Sequence, residues 1–146
     1  MTFKEINDYA RQLLRDVNRT IFQEIEINRS INEGIDRCRQ IKELQHMKKL
    51  EASNEIPQYL PEPYHHLLSL FSASRCFFQD EQMQQSVMLM NEFENKLFEL
   101  KTAIENGDVQ VFDPQGNEVE PGEGSIDYVA NEYFKNNAID NDTVIM

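Results

Sequence analysis

Seven apolar residues, Met83, Val87, Met90, Phe93, Leu97, Leu100 and Ile104, recur at steps of 4, 3, 3, 4, 3 and 4. A strand, whose side chains alternate with period two, cannot gather that set on one face; a helix of 3.6 residues per turn can. The stripe predicts one long helix, opened by Asp80 as N-cap and closed at Asn106-Gly107, where glycine supplies the left-handed residue that ends many helices. A helix of that length must cover its apolar side, so the rest of the chain is expected to build a bundle around it.

Three further segments read as helices. The first starts at Thr2, because Thr2-Phe3-Lys4-Glu5 fits a capping box, and Ile6, Tyr9, Ala10, Leu13, Leu14 and Val17 make its apolar face. Asn18-Arg19-Thr20 interrupts it. The second runs from about Phe22 to Leu44, with a stripe of Ile31, Ile35, Cys38 and Ile41. Gly34 sits inside it and admits two readings: a tolerated defect costing about 1 kcal/mol relative to Ala, or a close helix crossing where only a hydrogen fits. Gln45 to Pro63 loses the period and holds Pro57, Pro61 and Pro63, so it reads as an ordered connection with a short strand near Met47–Leu50. The third helix opens at Pro63, where a missing N–H costs nothing. Tyr64, Leu67, Leu68, Phe71 and Phe78 share one of its faces, and Leu70, Ala73 and Phe77 fill others, which places it at the centre of the bundle.

The composition changes after Asn106. Four of the five glycines, Gly107, Gly116, Gly122 and Gly124, lie in the last 40 residues. Residues 1–106 hold 13 Lys+Arg and 17 Asp+Glu; residues 107–146 hold 1 and 9. The chain therefore divides into a helical body, 1–106, and an acidic arm, 107–146. Within the arm, Asp113-Pro114-Gln115-Gly116 has the residue choice of a type I turn, and Gly116 that of the bulge in a three-residue β-hairpin, with Val119 on the return strand. Pro121-Gly122-Glu123-Gly124 reads as a hinge. Ser125 caps a short last helix with Ile126, Val129, Ala130, Tyr133 and Phe134 on one side. The expected fold is mainly α: a small bundle of about four helices with a hairpin and short helix as an extended arm. The apolar face of Ile126, Val129, Tyr133 and Phe134 is expected to be a protein interface, since a segment of some 40 residues cannot hold its own core.

A formal net charge of −12 argues against a broad phosphate-gripping surface. No run approaches the roughly 18 apolar residues of a membrane span, and residues 1–8 lack the basic and apolar blocks of a signal peptide. Two cysteines, Cys38 and Cys76, make no disulfide framework, which suits a reducing compartment. Signals of catalysis are scarce: no Gly-rich phosphate loop, no G-x-S-x-G and no H-E-x-x-H. Cys38, Cys76, His46, His65 and His66 match no common zinc spacing, and the same residues are the only source of a Cys/His nucleophilic pair. No cofactor, metal or catalytic residue is expected. Basic residues between Arg11 and Lys49 alternate with Asp16, Glu24, Glu26, Glu33, Asp36 and Glu43; they read as salt-laced helix faces or as a local patch for an acidic partner.

Two stretches carry a resemblance. One is Glu24-Ile25-Glu26-Ile27-Asn28-Arg29-Ser30 leading into Ile31-Asn32-Glu33-Gly34-Ile35. The other is Leu60-Pro61-Glu62-Pro63-Tyr64-His65-His66-Leu67, continued by a small-residue helix to Ala73-Ser74-Arg75-Cys76, then Gln79-Asp80-Glu81 and a long helix with Phe93-Glu94. Over about residues 3–105 the chain resembles the head–tail connector (adaptor, or head-completion) proteins of tailed bacteriophages. The resemblance implies a small non-enzymatic helical bundle in the virion, made in the host cytoplasm, that forms a homo-oligomeric ring, usually twelve-fold, beneath the portal. Such a ring extends the DNA channel, lets DNA pass without specific binding, and presents a surface to the next tail component. It also implies that the C-terminal segment docks on the portal, with no membrane involved. Lys48 and Lys49, in the irregular connection, are then the candidates for contact with DNA phosphates; the other reading is an outward-facing solvated pair. Two other classes compete. One is a cytoplasmic helical regulator that binds a protein partner through its acidic arm. The other is an enzyme using the His/Cys set.

Overall fold

The computed structural model describes residues 1–16 and 18–118. Four α-helices carry the fold: α1 (Phe3–Leu14), α2 (Glu24–Cys38), α3 (His66–Gln79) and α4 (Met83–Glu105). Single 3-10 turns lie at Lys42–Leu44 and Glu62–Tyr64. Among the described residues there is no named strand; Phe112 and Glu118 form an isolated antiparallel bridge. Val17, the return strand at Val119, the hinge 121–124 and the helix expected from Ser125, with Ile126, Val129, Tyr133 and Phe134, lie outside the described residues.

Helix α3 is the hub, packing against each of the other three. Its composition explains why: Leu67, Leu68, Leu70, Phe71, Ala73 and Cys76 are buried on several sides of the helix. Small serines between them let neighbours approach and satisfy their own hydroxyls across the gaps. Ser69 Oγ donates to the Ile6 carbonyl of α1 at 2.8 Å. Ser72 Oγ lies 2.6 Å from Ser30 Oγ of α2, beside the Ile27 carbonyl. Ser74 Oγ donates to the Ser86 carbonyl of α4 at 2.7 Å, and Ser86 Oγ returns the bond to the Ser74 carbonyl at 2.9 Å. Each neighbouring helix is thus tied to α3 by one serine, and none of these buried hydroxyls is left unpaired.

Gly34 is the close-crossing case. A Cβ there would lie 3.3 Å from Leu68 Cδ2 and 3.3 Å from Phe71 Cβ. The expected caps of α1 are present: the Glu5 amide donates to Thr2 Oγ1, and the Thr2 amide donates to Glu5 Oε1 at 2.7 Å. At the far end of α4, Gly107 takes φ +78°, its amide reaching the Ile104 carbonyl and the Asp108 amide the Ala103 carbonyl.

Four sequence expectations need correction. Helix α2 stops at Cys38, not near Leu44: the amides of Gln40 and Ile41 bond three residues back, and Ile41 is extended. The turn lets Ile41, Leu44, Met47 and Leu50 enter the core at three-residue steps from an irregular backbone. No strand forms at Met47–Leu50, because the Asn32 side chain takes both backbone groups of Leu50 (amide to Oδ1, 2.8 Å; Nδ2 to carbonyl, 3.0 Å). Asp80 does not cap α4. It belongs to the last turn of α3, where the Gln82 amide bonds the Phe77 carbonyl across a left-handed Glu81, and α4 begins after Gln82.

The fourth correction concerns the long stripe. Phe93, Leu100 and Ile104 are buried and Met90 and Leu97 are partly covered, but Met83 and Val87 are half exposed. Helix α4 spans 23 residues against 14 in α3, its principal neighbour. Phe93, Leu100 and Ile104 fall within roughly 40° around the axis, and Val87 lies roughly 120° from Phe93. One packing partner cannot cover so wide a band. Phe78 likewise faces outward, beneath the Arg75 guanidinium at 5.5 Å. Beyond α4, Val111 is buried in the main core cluster and Val109 packs against it.

Candidate functional site

Three of the residues available for chemistry, Cys38, Cys76 and His65, are engaged in the fold. Cys38 and Cys76 are buried, and burial pushes their thiols up to about 12 and about 11. His65 is buried. Its Nε2 lies 2.8 Å from the Leu60 carbonyl, so that nitrogen carries the proton, and Nδ1 accepts from the Met1 ammonium at 3.0 Å. Burial, with the nearby ammonium, holds its pKa below the ordinary value despite the Leu60 bond. His46 is exposed and His66 partly so. No group of three or more metal-ligating side chains occurs among the described residues. No helix among them is long and apolar enough to cross a membrane.

Several basic and acidic residues of the first half pair at the surface, whereas Arg15, Arg29, Lys48 and Lys49 form no ion pair among the described residues. Arg19 bridges Asp8 and Glu24, Arg37 meets Glu94 on α4 with both carboxylate oxygens within 2.9 Å, and Arg75 faces Glu33. Arg11 and Asp16 depart from the salt-laced surface reading, because their side chains are only 3% and 1% exposed. Arg11 donates to Asp16 Oδ2, the Phe22 carbonyl, Asn7 Oδ1 and Glu24 Oε1 at 3.0–3.2 Å. Asp16 accepts the amides of Thr20, Ile21 and Phe22 at 2.9–3.1 Å. Burial alone would raise the Asp16 carboxyl; the three amides and the guanidinium overcome it and hold the group below its usual range. This cluster fixes the connection between α1 and α2.

That connection frames a groove of about 450 Å³. Its floor is formed by Leu13, Leu14 and Phe22, its walls by Ile21, Phe77, Met88 and Leu89, and Arg15, Asp80 and Glu92 lie at its margin. Ile21 and Met88 are 61% and 65% exposed. A second apolar surface lies along α4, where Met83, Val87 and Phe98 share a side and Phe98 is 70% exposed. Large exposed hydrophobes thus gather on this side of α4 and in the groove, with Ile25, Ile56, Phe78 and Phe112 exposed elsewhere. The sequence reading missed both. Ile21 lies between the interruption at Asn18-Arg19-Thr20 and the helix expected from about Phe22, and Met83 and Val87 belong to the stripe expected to face the core.

Lys48 and Lys49 are exposed in the irregular segment, away from the groove lining. The arm residues Ile126, Val129, Tyr133 and Phe134 lie outside the described residues. No family model, no curated protein and no solved structure matches this chain.

Proposed function

We propose that this protein is the subunit of a phage head–tail connector, a closed ring beneath the portal that extends the DNA channel and receives the next tail component. The observation that carries the proposal is the exposed apolar side of α4 formed by Met83, Val87 and Phe98. A subunit that repeats head to tail needs one unsatisfied patch to meet a different patch on its neighbour, and such heterologous contacts close into rings. The residues that carry the resemblance hold this fold together. Asn32 clamps Leu50, Gly34 admits α3, and His65 pins the Leu60 carbonyl.

In this reading Lys48 and Lys49 meet DNA if their loop lines the channel, and the acidic remainder lets DNA slide. Mass measurement of the full chain under native conditions tests the proposal. Ring-sized oligomers, or a monomer converted to rings by a portal, are expected. A fixed monomer or dimer indifferent to portal would instead fit a helical regulator acting through its acidic arm.

A further inference from the structure

We infer that His65 is an acid-operated latch: a second proton on its ring breaks the contact that ties the start of α1 to the connection ahead of α3, and the two segments open together. The inference concerns the bundle itself and stands apart from the connector reading. Two parts of the chain, 64 residues apart, meet at this imidazole. His65 is the N-cap of α3 and follows the 3-10 turn Glu62–Tyr64. Its Nε2 donates to the Leu60 carbonyl at 2.8 Å, which fixes the segment leading into that turn. Its Nδ1 accepts from the Met1 ammonium at 3.0 Å, and Met1 directly precedes Thr2, the N-cap of α1. The residue is only 3% exposed, so neither bond is exchanged for water while the segments stay closed.

The Met1 contact needs the neutral ring. With the proton on Nε2, Nδ1 is the one acceptor the imidazole has. A proton on Nδ1 turns that acceptor into a donor aimed at an ammonium, and two donors share no bond. The surroundings also weigh against the charge. Burial opposes it most, the Leu60 carbonyl favours it, the Met1 ammonium opposes it, the Glu62 carboxylate favours it and His66 opposes it. Glu62 is exposed, so water weakens its attraction. On the α1 side the Glu5 carboxylate is exposed and bonded to the Thr2 amide. The N-termini of α1 and α3 both lie at this ring, and each is the positive end of its helix dipole.

The segments that open are the weakly held ones. The start of α1 is otherwise kept by the Phe3 and Lys4 amides, which donate to the Glu55 and Ser53 carbonyls at 2.7 and 3.0 Å, and by the buried Phe3 side chain. On the other side, the Tyr64 and His65 amides close single-turn bonds onto the Pro61 and Glu62 carbonyls. Helix ends and irregular backbone of this kind open locally at least cost. One turn further along α1, Ser69 still holds the Ile6 carbonyl, so the opening is confined to the ends. Its pH dependence has a definite sign. An opened His65 regains its ordinary pKa near 6.5, above that of the closed form. Closure is therefore fully favoured above that value and weakens as pH falls through the closed-form value. For a ring that stays neutral while closed, opening gains at most roughly thirtyfold at pH 5.

The test is amide hydrogen exchange of the full chain, read by NMR at pH 7 and pH 5 and compared as protection factors, so that the intrinsic pH dependence of exchange cancels. The amides of Phe3 and Lys4 on one side and of Tyr64 and His65 on the other should lose protection by about tenfold. Those of Ile31 and Ile35 in α2 should keep theirs. The imidazole resonances of the same samples should show His65 neutral at pH 7 and gaining its second proton over the range in which protection falls. His65→Gln, which keeps a donor and an acceptor without the charge, should abolish the change, and His66→Gln should leave it. Should His65→Gln not fold, the coincidence of the two wild-type curves decides. Unchanged protection at both ends, an equal loss in α2, a loss that survives in His65→Gln, or protonation of His65 with no loss of protection would each overturn the latch.

Discussion

Replacing Asp16 with Ala removes the acceptor at the centre of the α1–α2 connection. Three backbone amides, those of Thr20, Ile21 and Phe22, lose their partner, and the buried Arg11 guanidinium loses its closest charge. Breaking a buried ion pair from one side costs about 3–5 kcal/mol, because the remaining charge stays desolvated. Here Glu24, at 3.1 Å and 56% exposed, still neutralises Arg11 in part, which puts the expected loss near the lower end, about 3 kcal/mol. For a domain of this size that is roughly 12 °C in melting temperature. Asp16→Asn keeps the shape and one acceptor and should lose about half as much. The pH dependence has a definite sign. The folded-state pKa of Asp16 is lowered, so its contribution is fully present above the unfolded value near 4 and disappears as pH falls through the folded value. Urea melts of the wild type between pH 7 and pH 3 should show that decline, and Asp16→Asn should show less of it. An Asp16→Ala variant within about 0.5 kcal/mol of wild type would refute the claim that this cluster holds the connection.

Other outcomes follow from the packing. Gly34→Ala should destabilise by about 1–2 kcal/mol in denaturant melts, because overpacking against Leu68 and Phe71 outweighs the gain in helix propensity. Leu68→Ala should cost roughly 2–5 kcal/mol and Leu97→Ala clearly less, since Leu68 is fully buried and Leu97 only partly. Cys38 and Cys76 should resist iodoacetamide in the native protein at pH 8 and react only on unfolding, as buried thiols raised to about 12 and about 11 hold almost no thiolate there.

Local chemistry was the legible part of this fold. Thr2 and Glu5 announced the start of α1, Asn106-Gly107 the end of α4, and the apolar girth of residues 67–77 the central place of α3. What the sequence did not disclose depended on partners distant in the chain. The end of α2 is set by what Ile41 and Leu44 can reach, and the fate of Leu50 by Asn32, 18 residues earlier. Met83 and Val87 belong to the apolar stripe by spacing, yet only the length and position of α3 decide that they stay uncovered. The candidate surfaces were hidden for the same reason. Asp16 followed by Asn18-Arg19-Thr20 was a usable signal, since aspartate readily accepts the amides of a following turn. Burial of Arg11 beside it was not readable from a segment rich in charge.

Electron microscopy of the full chain incubated with purified phage portal rings tests the central claim most directly. The account predicts a closed ring of this protein coaxial with the portal, with α4 of each copy against its neighbour and Met83, Val87 and Phe98 covered. Portal rings that remain bare at saturating protein, or copies bound singly with that side of α4 facing solvent, would contradict it.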